Sequence, residues 1–221
     1  MSLFIDAIFP PRCVSCDQRT EGFCDICRDT LLKMPLLGCR YCSDNPSTVD
    51  LLCRNCFRQV PDFDKVLSPC QYGGAIANAI IAAKHGGRHG NLFHIAKLIT
   101  ETYPEKPIDG TIVPVPIHWR TRLKRQYNQA EILARHLGNH WNMPVEATLT
   151  KTRNTGNQRG LNRFQRMENL RGALKARSSA PETVVLVDDV VTSGATAGEA
   201  SRVLKAAGAT RIIVVTGARV L

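Results

Sequence analysis

Two adjacent carboxylates followed by a hydroxyl-rich turn are the most informative chemical feature of the chain. Asp188 and Asp189 follow the apolar run 184–187, and residues 192–196 place hydroxyl side chains around Gly194. Carboxylates at the end of a strand can accept hydrogen bonds from two vicinal hydroxyls, while the turn before a helix presents backbone N–H groups to a phosphate. The spacing therefore predicts a site for a sugar phosphate.

Two common nucleotide sites do not fit this segment. A Walker loop needs a lysine after its second glycine, and no lysine follows Gly194. The GxGxxG pattern of dinucleotide-binding turns is also absent from the sequence. Gly194 itself would let the backbone approach a phosphate closely.

Cysteine spacing is the second strong signal, because eight of the nine cysteines form four CxxC pairs. Four thiolates bind one tetrahedral Zn²⁺, so eight ligands in a reducing compartment predict two structural zinc ions. The short loops inside each group, seven and ten residues, favour sequential sites, while cross-braced ligation and redox-active pairs are the alternatives. The predicted ligands are Cys13, Cys16, Cys24 and Cys27 for one metal, and Cys39, Cys42, Cys53 and Cys56 for the other.

The cysteine-rich segment is expected to be a small zinc-ribbon module. Residues 1–62 contain few large apolar side chains, so metal must supply much of their folding free energy, about 10 to 16 kcal/mol per site in zinc-finger peptides. A second domain is expected at 63–221, with a core independent of the module.

The second domain alternates predicted strands and helices. Strands are predicted at 66–72, 111–117, 184–187 and 211–217, and helices at 75–84, 92–102, 129–141 and 197–207. This alternation predicts an α/β fold with a mostly parallel sheet flanked by helices. Ligands of such sheets bind beyond the carboxyl ends of the strands.

Positive charge is concentrated in two segments. Residues 120–125 contain four cations, and residues 151–171 contain six Lys or Arg against one acid. The formal net charge of +10 favours a polyanionic partner such as nucleic acid, a phosphorylated metabolite or an anionic membrane surface. The N-terminus has no basic leader, and Asp6 interrupts its apolar stretch, so we expect neither a signal peptide nor a transmembrane segment, and a cytoplasmic location.

Several motifs together resemble known families. The run VVLVDDVVTSGAT is similar to the phosphoribosyl pyrophosphate (PRPP) motif of type I phosphoribosyltransferases. This run, the four CxxC pairs and four further motifs together resemble the ComF competence proteins over nearly the whole chain. The further motifs are KHGG at Lys84, VPVP at Val113, RQYNQAEILA at Arg125 and RNTGNQRGLNRFQRMENLRGA at Arg153. That family usually has the motif RGFNQ where this chain has RQYNQ, so Gln126 and Tyr127 replace the glycine and the phenylalanine.

The resemblance implies a type I phosphoribosyltransferase fold and roles for individual residues. Asp188 and Asp189 would hold the ribose hydroxyls of PRPP, Lys84 matches the family's lysine in the same site, and Mg²⁺ would accompany the pyrophosphate. The 5′-phosphate would be held by Thr192, Ser193, Gly194, Ala195 and Thr196. The pyrophosphate loop and the hood over PRPP would use Arg122, Arg125, Asn128, Gln129, Arg153, Gln158 and Arg166.

The same resemblance implies a role in natural transformation, with handling of incoming single-stranded DNA at the cytoplasmic side of the inner membrane. The DNA backbone would contact Arg120, Arg122, Lys124, Arg125, Arg159 and Arg163. Trp119, Tyr127 and Phe164 could stack unpaired bases. Other competence proteins, such as a DNA helicase or a recombination mediator, are implied partners.

Two alternatives to a DNA-uptake factor stay open. One is a phosphoribosyltransferase that uses PRPP and an acceptor, and the other is a PRPP-responsive scaffold. The sequence identifies neither a catalytic residue nor the acceptor. In the enzymes that the chain resembles, Mg²⁺ and positioned cations stabilise the charge of the leaving group, so a missing general base does not exclude transfer from PRPP.

Overall fold

A four-stranded parallel sheet forms the centre of the protein, as seen in a computed structural model that describes residues 10–35, 37–47, 50–85, 87–156, 160 and 162–221. The strand order is β1 (Lys65–Leu67), β6 (Arg211–Arg219), β5 (Thr183–Val191) and β2 (Thr111–Pro114). The two inner strands, β5 and β6, are rich in β-branched residues, which suits strands covered on both faces.

Eight helices and a separate pair of short strands complete the described part of the chain. The helices are α1 (Asp25–Asp29), α2 (Arg54–Arg58), α3 (Gly74–His85), α4 (Asn91–Thr102), α5 (Trp119–Arg125), α6 (Gln129–Trp141), α7 (Arg163–Leu170) and α8 (Ala195–Ala206). The separate strands, β3 (Leu149–Lys151) and β4 (Leu174–Ala176), are antiparallel. They flank the hood segment, residues 151–171, which carries α7.

The sheet separates two hydrophobic cores, because alternate residues of each strand point to opposite faces. On one face, Val185 and Val187 pack with buried residues of α3, α4 and α6. On the other, Leu186 packs with Ala200 and Leu204 of α8. The acidic pair therefore belongs to a strand whose preceding residues are shielded from water on both sides.

The two cysteine groups are docked on different parts of the sheet domain. Cys39, Cys42, Cys53 and Cys56 belong to the same core as Leu186 and α8. The first group packs on α3 through Ala75, and Val14 beside it accepts a hydrogen bond from Asn91. The expectation of independent cores is therefore wrong, because the second cysteine group lies against the sheet.

The expected fold class is confirmed, and helix 129–141 has the predicted bounds. Two predicted strands end early, at Leu67 and Pro114, because Pro69 and Pro116 cannot donate to a strand ladder. β5 instead continues to Val191, so the acidic pair lies within the strand.

Helices α5 and α7 and the pair β3–β4 were not predicted, because short polar segments have little hydrophobic periodicity. Among the helices of the described residues, we find none with the length and apolar character needed to cross a membrane.

Candidate functional site

The acidic pair lies near the carboxyl end of β5. Asp188 is in register with Thr216 of β6, and Asp189 is 7% exposed. Lys84, in the last turn of α3, places its Nζ 2.6 Å from Oδ2 of Asp189. The fold thus brings Lys84, which is far away in sequence, to the acidic pair, and all three residues are ones that the resemblance assigned to the PRPP site.

The electrostatic environment of Asp188 is unusual for a carboxyl group. Burial raises the pKa of Asp188 to about 7, and the charge of Asp189 adds to this rise while Lys84 opposes it. Burial also lowers the pKa of Lys151, although the charge of Asp188 favours its protonated form. Proton exchange at Asp188 therefore changes the charge of the site in the neutral pH range.

The phosphate loop, residues 192–196, connects β5 to α8. Gly194 adopts φ +76°, a left-handed conformation that favours glycine, and α8 begins at the next residue. The backbone N–H of Ala195 donates to Oγ of Ser193 at 3.4 Å, while Thr192 is exposed and Thr196 is half-buried. A tight turn at the N-terminus of a three-turn helix suits a phosphate group.

The hood segment lies over the phosphate loop. Arg166 in α7 donates from Nη1 to the hydroxyl of Thr192 at 3.3 Å. Arg153 instead donates to the carbonyls of Asn169 and Arg171, so it holds the hood segment together. Gln158, Arg159 and the side chain of Arg163 lie outside the described residues.

Some of the residues that follow β2 are buried and make structural contacts, and others are exposed. Asn128 accepts from the N–H of Ala130 as the cap of α6 and donates to the carbonyl of Val115, and both Asn128 and Gln129 are buried. Arg122 forms an ion pair with Glu131 at 2.6 Å, and Arg125 donates to Gln129 at 3.4 Å. The contacts of Arg122 and Arg125 therefore anchor α5 to the first turn of α6.

The surface of α5 combines positive charge with an aromatic ring. Arg120 and Lys124 are exposed, and Trp119 is 58% exposed with the guanidinium of Arg120 at 5.3 Å from its ring. Phe164 of the hood segment is also exposed. Tyr127 is partly buried against the helical core, and its hydroxyl donates to the carbonyl of Ala83, so this ring is a structural element.

Each cysteine group has the geometry of a four-thiolate metal site. All ligand sulfurs within a group lie within 4.8 Å of one another, and the groups are the two sequential sets. The Sγ atoms of Cys16 and Cys24 are 3.7 Å apart, and Cys42 is 3.6 Å from both Cys53 and Cys56. A tetrahedral Zn²⁺ with bonds of about 2.3 Å requires sulfur separations of about 3.8 Å, so both groups could hold structural zinc.

Thiol chemistry in the second group also suits a metal. A hydrogen bond from Cys56 and the nearby charge of Arg219 lower the pKa of Cys42 to about 5, while burial and the interaction with Cys42 raise the pKa values of Cys53 and Cys56. Because thiolate is the form that binds metal, Cys42 is the thiol of these three that its surroundings prepare for ligation.

Comparison with known proteins agrees with these features. Residues 124–220 match the phosphoribosyl transferase domain family. Competence protein F of Haemophilus influenzae is 27% identical over 216 residues, which cover 91% of this chain and 93% of that protein. The DNA utilization protein YhgH of Escherichia coli K12 is 28% identical over 201 residues, which cover 86% and 87%. The resemblance to the ComF family is confirmed.

Two solved structures are also similar to this chain. One is the glutamine PRPP amidotransferase of B. subtilis complexed with ADP and GMP, with 21% identity over 60% of this chain and a TM-score of 0.37. The other is described as the allosteric regulatory enzyme of purine biosynthesis, with 20% identity over 58% and a TM-score of 0.40. The present chain spans 26% of each of those longer chains.

Two residues of the site were not singled out from the sequence. Lys151 ends β3 and lies close enough to Asp188 to respond to its charge. Arg219 ends β6 and contacts the backbone of the phosphate loop. A charged residue at the end of an apolar strand is a weak signal, because only the fold reveals its neighbours.

Metal removal tests the two cysteine groups. We expect two Zn²⁺ per chain by elemental analysis, and about one after Cys53→Ser, because a serine hydroxyl is a poor zinc ligand. The midpoint of thermal unfolding of the whole protein should also fall by several degrees, because this group shares the sheet core. Cys70→Ser, a buried thiol outside both groups, is the control and should keep two metals. An unchanged metal content in Cys53→Ser would contradict the assignment.

The raised pKa of Asp188 predicts a pH-dependent stability. Its pKa rises from an ordinary value of 3.8 to about 7 on folding, so the native state holds a proton that the unfolded chain releases. The raised pKa of Asp188 therefore destabilises the native state progressively as pH rises from about 4 to about 7. Asp188→Asn should therefore be more stable than the wild type at about pH 8 and similar at about pH 4. Urea unfolding checks this, with the exposed Asp109→Asn as control; a difference independent of pH would refute the pKa shift.

Proposed function

We propose that the protein is a competence factor for DNA uptake that binds single-stranded DNA in the cytoplasm and PRPP through its phosphoribosyltransferase-type site. The observation that carries the proposal is the acidic pair near the end of β5, shortly before the phosphate loop, in a chain similar to Competence protein F. The alignments with the relatives named for competence and for DNA utilization cover most of those proteins' lengths, which supports a role for the whole chain.

The PRPP part of the proposal rests on complementary chemistry at the end of β5. Carboxylates of Asp188 and Asp189 would accept from the ribose hydroxyls, and the turn at Gly194 would receive the 5′-phosphate. Arg166 is within reach of the same phosphate through Thr192. Mg²⁺ bound to the pyrophosphate would neutralise its charge, while Lys84 keeps Asp189 paired until ligand arrives.

The DNA part rests on the exposed surface of α5 and the hood segment. Arg120 and Lys124 can contact phosphates, while Trp119 and Phe164 present exposed rings on which unpaired bases could stack. Arg122 pairs with Glu131, so its charge is partly compensated and it would contribute less to binding. The proposed cellular setting is the cytoplasm, at the inner face of the inner membrane, with other competence proteins such as a DNA helicase or a recombination mediator as partners.

A phosphoribosyltransferase is the second candidate, supported by a cavity at the carboxyl end of β2. This cavity, of about 170 Å³, is lined by residues that include Pro114, Trp119, Arg122 and Lys151. It could receive a small planar acceptor next to bound PRPP. Incubation with PRPP, Mg²⁺ and a panel of nucleobases and amines, scored by pyrophosphate release, would identify the acceptor. Binding of PRPP without release of pyrophosphate favours the DNA-uptake factor or a PRPP-responsive scaffold.

PRPP binding is expected to depend on the acidic pair. Replacing Asp188 and Asp189 with Asn keeps their shape but removes charged acceptors, at a cost of about 1.5 to 3 kcal/mol per hydrogen bond, or about tenfold to 150-fold in affinity. Isothermal calorimetry with PRPP and Mg²⁺ measures the loss. Asp109→Asn is exposed and should bind as the wild type does. Equal affinity of the double variant and the wild type would reject the site.

Binding of single-stranded DNA is expected to weaken as salt rises. The affinity should fall by about 0.7 log units per log unit of salt for each phosphate neutralised, and Arg120→Gln combined with Lys124→Gln should reduce that slope. Fluorescence anisotropy with oligonucleotides of increasing length measures both effects, with and without PRPP. Arg211→Gln, at the opposite end of the sheet, is the matched control. No binding at low salt would eliminate the uptake-factor mechanism and favour a transferase or scaffold.

A further inference from the structure

Arg219 joins the second cysteine group to the phosphate loop. Its side chain is buried, with Nε donating to the carbonyl of Cys42 at 3.1 Å and Nη1 donating to the carbonyl of Val191 at 3.1 Å. Nη1 also contacts the carbonyls of Thr192 and Val220. One guanidinium thus contacts a metal-ligand residue, the end of β5 and the first residue of the phosphate loop.

The position of this guanidinium is strongly constrained. Across the described residues, no carboxylate lies within ion-pair distance of Arg219, so carbonyl dipoles compensate its charge. Its backbone N–H donates to Cys70, and its carbonyl accepts from Tyr72. A buried cation that loses an acceptor is strongly destabilised, so each of these carbonyls is held in place.

Holding a carbonyl also orients the next amide. The carbonyl of Thr192 and the N–H of Ser193 belong to one planar trans peptide and point in opposite directions. By binding the carbonyl, Arg219 directs the Ser193 N–H away from itself. The Val191 carbonyl orients the Thr192 N–H in the same way. The amides at the start of the phosphate loop are therefore set by a residue that also contacts the second cysteine group.

We infer that Arg219 is a positioning residue that couples metal occupancy of the second cysteine group to phosphosugar binding in the phosphate loop. Loss of this metal frees the Cys42 segment, releases one of the acceptors of Arg219 and relaxes the loop amides. By linkage, a bound phosphosugar must raise the affinity of the second group for its metal by the same factor, and we expect the tighter binding to be seen as slower metal loss. The inference rests on the proposed PRPP site. The first cysteine group has no such contact through Arg219 and serves as an internal control.

The wild-type protein provides the first test. Zinc release to the chelator 4-(2-pyridylazo)resorcinol is measured with and without PRPP and Mg²⁺, at PRPP concentrations that saturate binding in calorimetry. We expect PRPP to slow release of one of the two metals by about fivefold or more, the lower range of typical allosteric coupling. The effect should persist in Cys16→Ser, which disrupts the first group at its exposed ligand.

Arg219→Gln provides the second test, with Arg211→Gln as the matched arginine control on the same strand. Arg219→Gln should bind PRPP at least fivefold more weakly, and PRPP should no longer slow its zinc release. Arg219→Lys, which keeps the charge but not the forked donors, should recover part of the affinity. If Arg219→Gln does not fold, the wild-type release experiment decides.

Two results separate the possible failures. A wild-type protein that binds PRPP but releases both metals at rates independent of PRPP would overturn the coupling and leave the proposed function intact. A wild-type protein that does not bind PRPP would overturn the proposed function and the coupling with it.

Discussion

Two carboxylates lie side by side in a buried parallel strand, and their mutual repulsion has to be offset by neighbouring elements. Lys84 comes from the end of α3 and pairs with Asp189, while Asp188 keeps its proton to higher pH. Lys151 approaches from β3. Charge compensation therefore requires the helical layer, the central sheet and the base of the hood segment to assemble around the same strand. A ligand whose hydroxyls bind the carboxylates would relieve this arrangement.

The cations of the site differ in what they contact, and this difference separates structural from ligand-facing residues. Arg153 binds carbonyls of the hood segment, and Arg122 binds Glu131. Arg120 and Lys124 are exposed on α5. Because an engaged cation must first lose a partner before it can bind a phosphate, the exposed cations are better placed to determine the salt dependence of the proposed DNA binding.

The sequence was sufficient to predict the sheet and the acidic pair, because β-branched runs and an abrupt change to acidic residues are local signals. The helix after Asn128 was predicted with its observed bounds, since an Asn cap and apolar periodicity coincide there. Helix α7 was missed because its eight residues are mostly polar, and it is positioned by its capping box and by contact with the phosphate loop. Arg219 could not be identified, because three of its four acceptors lie in segments that only the fold brings to it.

The two cysteine groups, although similar in spacing, are placed to have different consequences for the rest of the molecule. The first packs on the surface of α3, while the second shares the core formed by Leu186 and α8. A metal bound in the second group would therefore stabilise the same face of the sheet that carries the phosphate loop. If the second cysteine group were only a separate binding module, it would not need to share a core with the sheet. The shared core makes folding of the second group a condition for the geometry of the phosphate loop, whichever ligand that loop receives.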